Sequence, residues 1–199
     1  MGKAYALLGL AFIVVFGGAY LLWERAHAPT LEKVNPTTPM SLTLASSAFA
    51  HNGSIPSQYT CDGENTLPPL SITDVPEGTV SLVLVMDDPD IPEEIKTANN
   101  ILKFNHFAVY NIPPDTTDIT ADSIPGTPAL NTRGEEGYTG PCPPPEYEPK
   151  EHRYIFRLYA IEGTLSFEHT PTLDEVETAA KGQIIEQAEL IGRYERTNE

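Results

Sequence analysis

The residues best suited to chemistry stand where a proline-rich loop meets a predicted strand. The loop GPCPPP holds four prolines between residues 141 and 145. Each proline ring fixes φ and removes a backbone donor, so this stretch is neither helix nor central strand. The following residues, HRYIFRLYAI, alternate with period two and predict a strand with His152 and Tyr154 on one face. An imidazole beside a phenol under a rigid loop is typical of a small polar pocket at a strand end.

Two further polar groups stand at the ends of predicted strands. The run TVSLVLVMDD predicts a strand with both faces covered, ending at Asp88, and KFNHFAVYNI predicts another strand that carries His106. Imidazolium, phenol and the backbone N–H groups of a turn such as that at Gly140 are donors that hold an oxyanion. Two interpretations stay open. Either these side chains converge in an anion pocket, or His106 and His152 are ordinary core residues and Asp88 caps a turn.

Charge and cysteine content limit the partners and the compartment. The formal net charge of the chain is −16, and nucleic acid requires a basic face, so we expect no nucleic-acid partner. Cys61 and Cys142 predict one disulfide in an oxidising compartment. The alternative is two free thiols that line a pocket.

The first 25 residues predict a membrane anchor or an export signal. Residues 4–23 carry no charge, and a helix of that length at about 1.5 Å per residue spans roughly 30 Å of hydrocarbon. The triplet Ala26-His27-Ala28 offers a signal-peptide cleavage site as the alternative. Residues 26–39 predict a linker, and residues 40–199 predict a domain outside the cytoplasm. That domain would be membrane-anchored, or secreted if the N-terminal segment is cleaved.

The remaining pattern predicts a mainly β fold. Several short strands are joined by glycine and proline turns, and residues 113–151 contain no periodic segment, which is typical of a functional loop. From residue 173 to residue 191, apolar residues recur every three or four positions after a capping box of Thr172 and Glu175. We therefore expect an antiparallel β-sandwich with a C-terminal helix, preceded by one N-terminal transmembrane helix.

Four stretches, in this order and spacing, resemble the phosphatidylethanolamine-binding protein family, the Raf kinase inhibitor-like proteins, in its bacterial and archaeal branch. They are YTCDGEN, PPLSITDVPEGTVSLVLVMDDPDIP, HFAVYNIP and GYTGPCPPPEYEPKEHRYIFRLYA. The resemblance covers residues 40–196 and implies a β-sandwich with a small anion pocket at one end. Three positions depart from the pattern, since Ile72, Phe104 and Phe107 stand where many relatives have tryptophan.

The resemblance also implies a set of pocket residues. They comprise the side chains of Asp88, Asp90, His106, His152 and Tyr154, the backbone N–H groups of Gly140 and Cys142, and rim prolines Pro89 and Pro92. Members of the family are associated with binding phosphoryl head groups and with inhibiting kinases or serine proteases. No catalytic activity, metal or cofactor is implied.

Three functions are consistent with this sequence. The first is a non-enzymatic binding protein, tethered to a membrane, that takes a small phosphate- or carboxylate-bearing ligand and regulates a kinase or protease. The second is an extracytoplasmic serine protease inhibitor that acts through an exposed loop between residues 113 and 138. The third is a zinc-dependent hydrolase, because two histidines and an aspartate can bind zinc with an open position.

Overall fold

The computed structural model describes residues 41–196 and arranges them in two β-sheets. The strands of this part of the chain are β1 (Thr43–Ser46), β2 (Gly53–Ser54), β3 (Leu70–Thr73), β4 (Ser81–Asp88), β5 (Phe104–Ile112), β6 (Asp118–Ile119), β7 (Thr127–Pro128), β8 (His152–Ile161) and β9 (Ile184–Tyr194). The helices are α1 (Glu93–Asn99) and α2 (Leu173–Ala180), with a 3-10 turn at Ser57–Tyr59.

The sheets form the predicted sandwich, with one exception to antiparallel pairing. The small sheet has the order β1-β3-β6, and the large sheet has the order β2-β9-β8-β4-β5-β7. Neighbouring strands are antiparallel except for β2, which runs parallel to β9 over two residues. The main core lies between the sheets, where Leu44 and Ile72 of the small sheet join Leu84 and Phe156 of the large one.

Strand β4 is covered on both faces, as its apolar run predicts. Leu82, Leu84 and Met86 face the small sheet, whereas Val83 and Val85 face a second core beneath α2. All five side chains are fully buried. Burial of each such side chain stabilises the fold by about 1.5–3 kcal/mol, so β4 is a firm support for the residues at its end.

The prediction of one long C-terminal helix is wrong beyond residue 180. The capping box at Thr172 forms as expected, and α2 ends at Ala180. Residues 184–194 then form β9, which pairs antiparallel with the whole of β8. The apolar spacing of this segment fits a helix as well as a strand. The segment forms a strand because pairing with β8 satisfies the backbone hydrogen bonds of both strands.

A second helix, α1, was also missed. It follows Pro92, which stands at its N-cap, and its first turn carries Glu93 and Glu94. Proline before the first turn and acidic residues within it are helix-start signals. The segment lacks an apolar face, and its seven residues bury no side chain, so periodicity could not find it.

The long loop between β5 and β8 is tied to both sheets. Its strand β6 pairs with β3, and its strand β7 pairs with β5. Farther along, the Leu130 N–H donates to Pro171 O and the Leu173 N–H donates to Leu130 O. These ties fix the path by which the loop reaches the GPCPPP stretch.

The predicted membrane segment, residues 1–25, and the predicted linker, residues 26–39, lie outside the described residues. Within residues 41–196, no helix is both long and apolar enough to cross a membrane.

Candidate ligand-binding pocket

The ends of β4, β5 and β8 meet the loop of residues 139–144 around a cavity of about 220 Å³. Its polar side chains belong to Asp88, His106, Arg133, Thr139, His152 and Tyr154. Its apolar wall is formed by Ile91, Pro92, Ile95, Phe104, Pro143 and Pro144. The cavity therefore combines a small group of convergent polar side chains with a mostly apolar wall, which is typical of small-ligand sites.

Asp88 orients His152. The His152 Nδ1–H donates to Asp88 Oδ2 at 2.7 Å, since a carboxylate oxygen accepts. The other carboxylate oxygen, Oδ1, accepts the backbone N–H of Asp90 at 2.8 Å. The His152 ring is fully buried, and its Nε2 has no protein partner. Asp88 thus fixes the tautomer and leaves Nε2 as the ring atom open to a ligand.

His106 lines the same cavity as a neutral imidazole. Its Nδ1–H donates to the Thr139 carbonyl at 2.6 Å. Burial lowers the pKa of His106 from 6.5 to about 4, although the bond to Thr139 and the charge of Asp88 act in the opposite direction. Its Nε2 is therefore a hydrogen-bond acceptor at neutral pH, not the imidazolium donor that the oxyanion chemistry suggested.

Tyr154 contributes a protonated hydroxyl. Its ring stacks on His152 with the centroids 6.4 Å apart and meets the His106 ring edge-on at 5.2 Å. Burial raises the pKa of Tyr154 far above its ordinary value, and the Asp88 carboxylate raises it further. The Cys142 N–H approaches the hydroxyl oxygen and acts to lower the pKa of Tyr154. The buried O–H itself donates to no protein group, so Tyr154 presents an unpaired O–H donor.

The GPCPPP loop packs against the neighbouring chain segment that contains Tyr59 and Asn65. Gly140 lies so close to the neighbouring chain that an added Cβ would stand 2.5 Å from both Tyr59 O and Asn65 Oδ1. The Gly140 N–H donates to Asn65 Oδ1 at 2.8 Å. This N–H is already paired, which corrects the expectation that Gly140 lends it to a ligand.

Cys61 and Cys142 form a disulfide with their Cα atoms 5.4 Å apart, so the interpretation as two free thiols is wrong. The Cys61 N–H also donates to Pro141 O at 3.1 Å. The bridge closes a sequence separation of 81 residues, for which the chain-entropy model gives about 4 kcal/mol of stabilisation. Cys142 itself lines the cavity, so the disulfide fastens one wall of the pocket.

Most, but not all, of the expected site residues surround the cavity. The lining includes Pro92, Gly140 and Cys142. It also includes the four polar side chains that were predicted at strand ends, namely Asp88, His106, His152 and Tyr154. Pro89 and Asp90 stand outside the lining. Asp90 instead pairs with the Arg153 guanidinium at 2.7 and 2.8 Å, and these bonds lower the pKa of Asp90.

The sequence reasoning missed several residues of the pocket. Arg133 belongs to a polar loop without strand periodicity, so no pattern pointed to it. Thr139 lies within the GYTGPCPPP stretch that carries the resemblance, but the resemblance did not assign it to the pocket. Ile95 belongs to helix α1, which was not predicted, and Ile91 lies two residues before that helix begins. The proline run at residues 143–145 was recognised as a rigid loop, and it supplies Pro143 and Pro144 to the wall.

Asp87, the neighbour of Asp88, serves the opposite face of the sheet. Its Oδ2 accepts Arg157 Nη1 at 2.5 Å and Lys103 Nζ at 2.9 Å. Lys103 Nζ also donates to Glu177 Oε2 of α2 at 2.6 Å. Asp87 is only 1% exposed, and this network joins β4 and β8 to α2 and to Lys103, the residue before β5.

The third interpretation, a zinc-dependent hydrolase, requires a cluster of metal ligands. Within residues 41–196, no group of three or more His, Cys, Asp or Glu side chains is placed to hold a metal ion. Within the cavity, Asp88 and His152 are already paired with each other. The zinc-hydrolase interpretation therefore has no ligand cluster among the described residues.

Comparisons with known proteins identify the family of this chain. A sequence profile described as "Phosphatidylethanolamine-binding protein" matches residues 45–195. A UPF0098 protein of Chlamydia pneumoniae is 41% identical over 157 residues, which cover 78% of this chain and all of that protein. A UPF0098 protein of Methanothermobacter thermautotrophicus is 40% identical over 163 residues, covering 78% of this chain and 99% of the relative.

Solved structures show the same fold. A crystal structure of a phosphatidylethanolamine-binding protein homologue from Chlamydia trachomatis aligns with a TM-score of 0.71 and 38% identity, covering 79% of this chain and 99% of the other. The YbcL protein of E. coli, described as a member of the mammalian PEBP family, aligns with a TM-score of 0.68 and 24% identity over 79% of this chain and all of YbcL. The resemblance seen in the sequence is confirmed, and the chain belongs to the phosphatidylethanolamine-binding protein family.

Proposed function

We propose that this domain is a non-enzymatic binding protein whose pocket takes a phosphoryl or carboxylate group. The observation that carries the proposal is a pair of buried atoms without protein partners, His152 Nε2 and Tyr154 OH, in one cavity. An unpaired buried polar group costs about 1–3 kcal/mol, so a ligand that pairs with both atoms offsets that cost. With Asp88 bonded to Nδ1, the His152 Nε2 faces the ligand, and Tyr154 donates its O–H to an oxygen of the ligand.

The other polar groups of the cavity favour an anion over a cation. Both oxygens of Asp88 already accept hydrogen bonds, one from His152 and one from the Asp90 N–H. Arg133 contributes a positive charge at the lining. Phosphatidylethanolamine, for which the family is named, carries a phosphoryl group, which supports the same ligand chemistry for this chain.

The pairing of the potential reactive groups supports binding rather than catalysis. The cavity's aliphatic hydroxyl belongs to Thr139, whose Oγ1 accepts a hydrogen bond from Asn131 Nδ2 at 3.0 Å. His152 pairs with Asp88, and His106 pairs with the Thr139 carbonyl. Among residues 41–196, no hydroxyl in this cavity is hydrogen-bonded to an imidazole as an activated nucleophile requires.

Calorimetric titration of the full-length chain with phosphorylethanolamine, inorganic phosphate and acetate tests the proposal. His152→Ala and Asp88→Asn should each weaken phosphoryl binding by about tenfold or more, because a charge-assisted hydrogen bond contributes about 1.5–3 kcal/mol. His169→Ala is the matched control, since that histidine is exposed and pairs with Glu175 away from the cavity. Circular dichroism reports whether each variant folds. Unchanged affinity in both folded pocket variants would refute the proposal.

We also propose that the domain lies outside the cytoplasm and is held at a membrane by the N-terminal segment. The disulfide between Cys61 and Cys142 supports an oxidising compartment, and the uncharged residues 4–23 support an anchor. A C-terminal alkaline phosphatase fusion, which is active only after export, should be active. An inactive fusion at normal protein levels contradicts this location.

A protein partner, a kinase or a protease, is a prediction from the family resemblance alone. Inhibition assays of the full-length chain against serine proteases test the protease form of that prediction. A panel of active proteases left untouched would speak against it.

A further inference from the structure

Arg133 differs from the other arginines of the described region. Four of them, Arg153, Arg157, Arg193 and Arg196, form ion pairs with carboxylates within 4 Å. Among residues 41–196, Arg133 has no ion-pair partner and no side-chain hydrogen bond, although the chain carries a net charge of −16. Its side chain instead lines the cavity that holds His152 and Tyr154.

The backbone around Arg133 is fixed by a short polar network. Asn131 is 5% exposed, and its Oδ1 accepts the N–H of Arg133 at 2.8 Å and the N–H of Glu135 at 3.2 Å. Asn131 Nδ2 donates to Thr139 Oγ1 at 3.0 Å. Thr132 exchanges two hydrogen bonds with Asn105, since the Thr132 N–H donates to Asn105 O and the Asn105 N–H donates to Thr132 Oγ1. The loop is thereby tied to β5, next to His106.

The charge of Arg133 acts inside the cavity. Burial is the main cause of the lowered pKa of His106, another residue of the lining, and the charge of Arg133 lowers it further. Both oxygens of Asp88 already accept hydrogen bonds, from His152 and from the Asp90 N–H, and His106 is neutral at pH 7. Among the described residues that line the cavity, Arg133 is the charged side chain without an ion-pair or hydrogen-bond partner.

We propose that Arg133 is a specificity-determining residue that makes the pocket prefer a dianionic phosphomonoester over a monoanionic phosphodiester or carboxylate. This inference rests on the proposed anion-binding function and adds a ligand class to it. The Coulomb energy between one fixed charge and a ligand is proportional to the charge of the ligand. Loss of Arg133 should therefore reduce the binding free energy of a dianion by twice as much as that of a monoanion. The fold-change in affinity for the dianion is then the square of the fold-change for the monoanion.

The experiment compares two probes that share a ring and differ in charge. Phenyl phosphate is a dianion at pH 8, because the second phosphate pKa is about 6, and methyl phenyl phosphate is a monoanion. For an exposed guanidinium, we expect Arg133→Gln to weaken methyl phenyl phosphate about threefold and phenyl phosphate about ninefold. Arg133→Lys keeps the charge and should retain most of the affinity for both. Titrations use the full-length chain at low ionic strength, since salt screens an exposed charge.

Lys181→Gln is the control for net charge, because it removes one positive charge at the C-cap of α2, away from the cavity lining. It should leave both affinities unchanged. Equal losses for the two probes in Arg133→Gln, or no loss for either, would overturn the inference while wild-type binding keeps the proposed function intact. Wild-type protein that binds neither probe, and no inorganic phosphate, would overturn the proposed function and this inference together.

Discussion

Protonation of His106 should destabilise the fold as the pH falls. The imidazole is 5% exposed, and its pKa in the folded protein is about 4 against an ordinary value of 6.5. Between these two values the unfolded chain binds more protons than the folded chain, so the free energy of unfolding rises with pH and is lost on acidification. The contribution is fully present above pH 6.5 and declines until the pH passes below 4.

The size of the effect follows from the two pKa values. Relative to pH 8, His106 should lower the free energy of unfolding by about 2 kcal/mol at pH 5 and by about 3 kcal/mol below pH 4. His106→Asn removes the titrating ring and keeps an N–H near the Thr139 carbonyl, which accepts from His106 Nδ1. Lost packing lowers the free energy of unfolding of the variant by the same amount at every pH. The diagnostic quantity is therefore how the stability difference between wild type and variant changes with pH.

Urea unfolding of the full-length chain, followed by circular dichroism from pH 8 to pH 5, measures this difference. The stability of wild type relative to His106→Asn should fall by about 2 kcal/mol over that range. His169→Asn is the matched control, because that side chain is 62% exposed and lies outside the cavity lining. A pH-independent difference for His106→Asn would refute the assignment of a buried neutral imidazole.

Two backbone features make further predictions. Gly140→Ala should destabilise the domain by about 1–3 kcal/mol, because the new Cβ meets Tyr59 O at 2.5 Å, whereas Gly182→Ala has no atom within 4 Å of its new Cβ and should not clash. Equal urea midpoints for the two variants would contradict the close approach. Thr172→Ala should cost about 1 kcal/mol by removing the capping box of α2, and an unchanged melting temperature would show that the cap is not needed.

The strands were predictable from the sequence because their side chains alternate against well-covered faces. In β8, Tyr154, Phe156 and Leu158 all reach the core between the sheets, as the period-two pattern predicts. In β9 the outward residues include Ile184 and Ile185, which are 36% and 41% exposed. Because apolar residues stand on both faces of β9, its apolar and polar residues do not alternate regularly. The segment was therefore also compatible with a helix.

The pocket was predictable only where a strand or a motif carried it. Asp88, His106, His152 and Tyr154 stand at strand ends, and the sheet order brings those ends together. Arg133 is placed by the hydrogen bonds of Asn131, a tertiary arrangement that no short sequence pattern encodes. Asp90 was expected on the pocket side because of its motif, but its geometry is decided by Arg153 on the neighbouring strand.

The two consecutive aspartates at the end of β4 set a limit on how this chain can change. Asp88 serves the cavity, and Asp87 serves the charged network under α2. Successive residues of a strand point to opposite faces, so a slip of one position exchanges every inward and outward side chain. Insertion or deletion of a single residue within Ser81–Asp88 would present the wrong carboxylate to each face at once. Length variation is therefore expected in the loops on either side of β4, while the strand itself keeps a fixed number of residues.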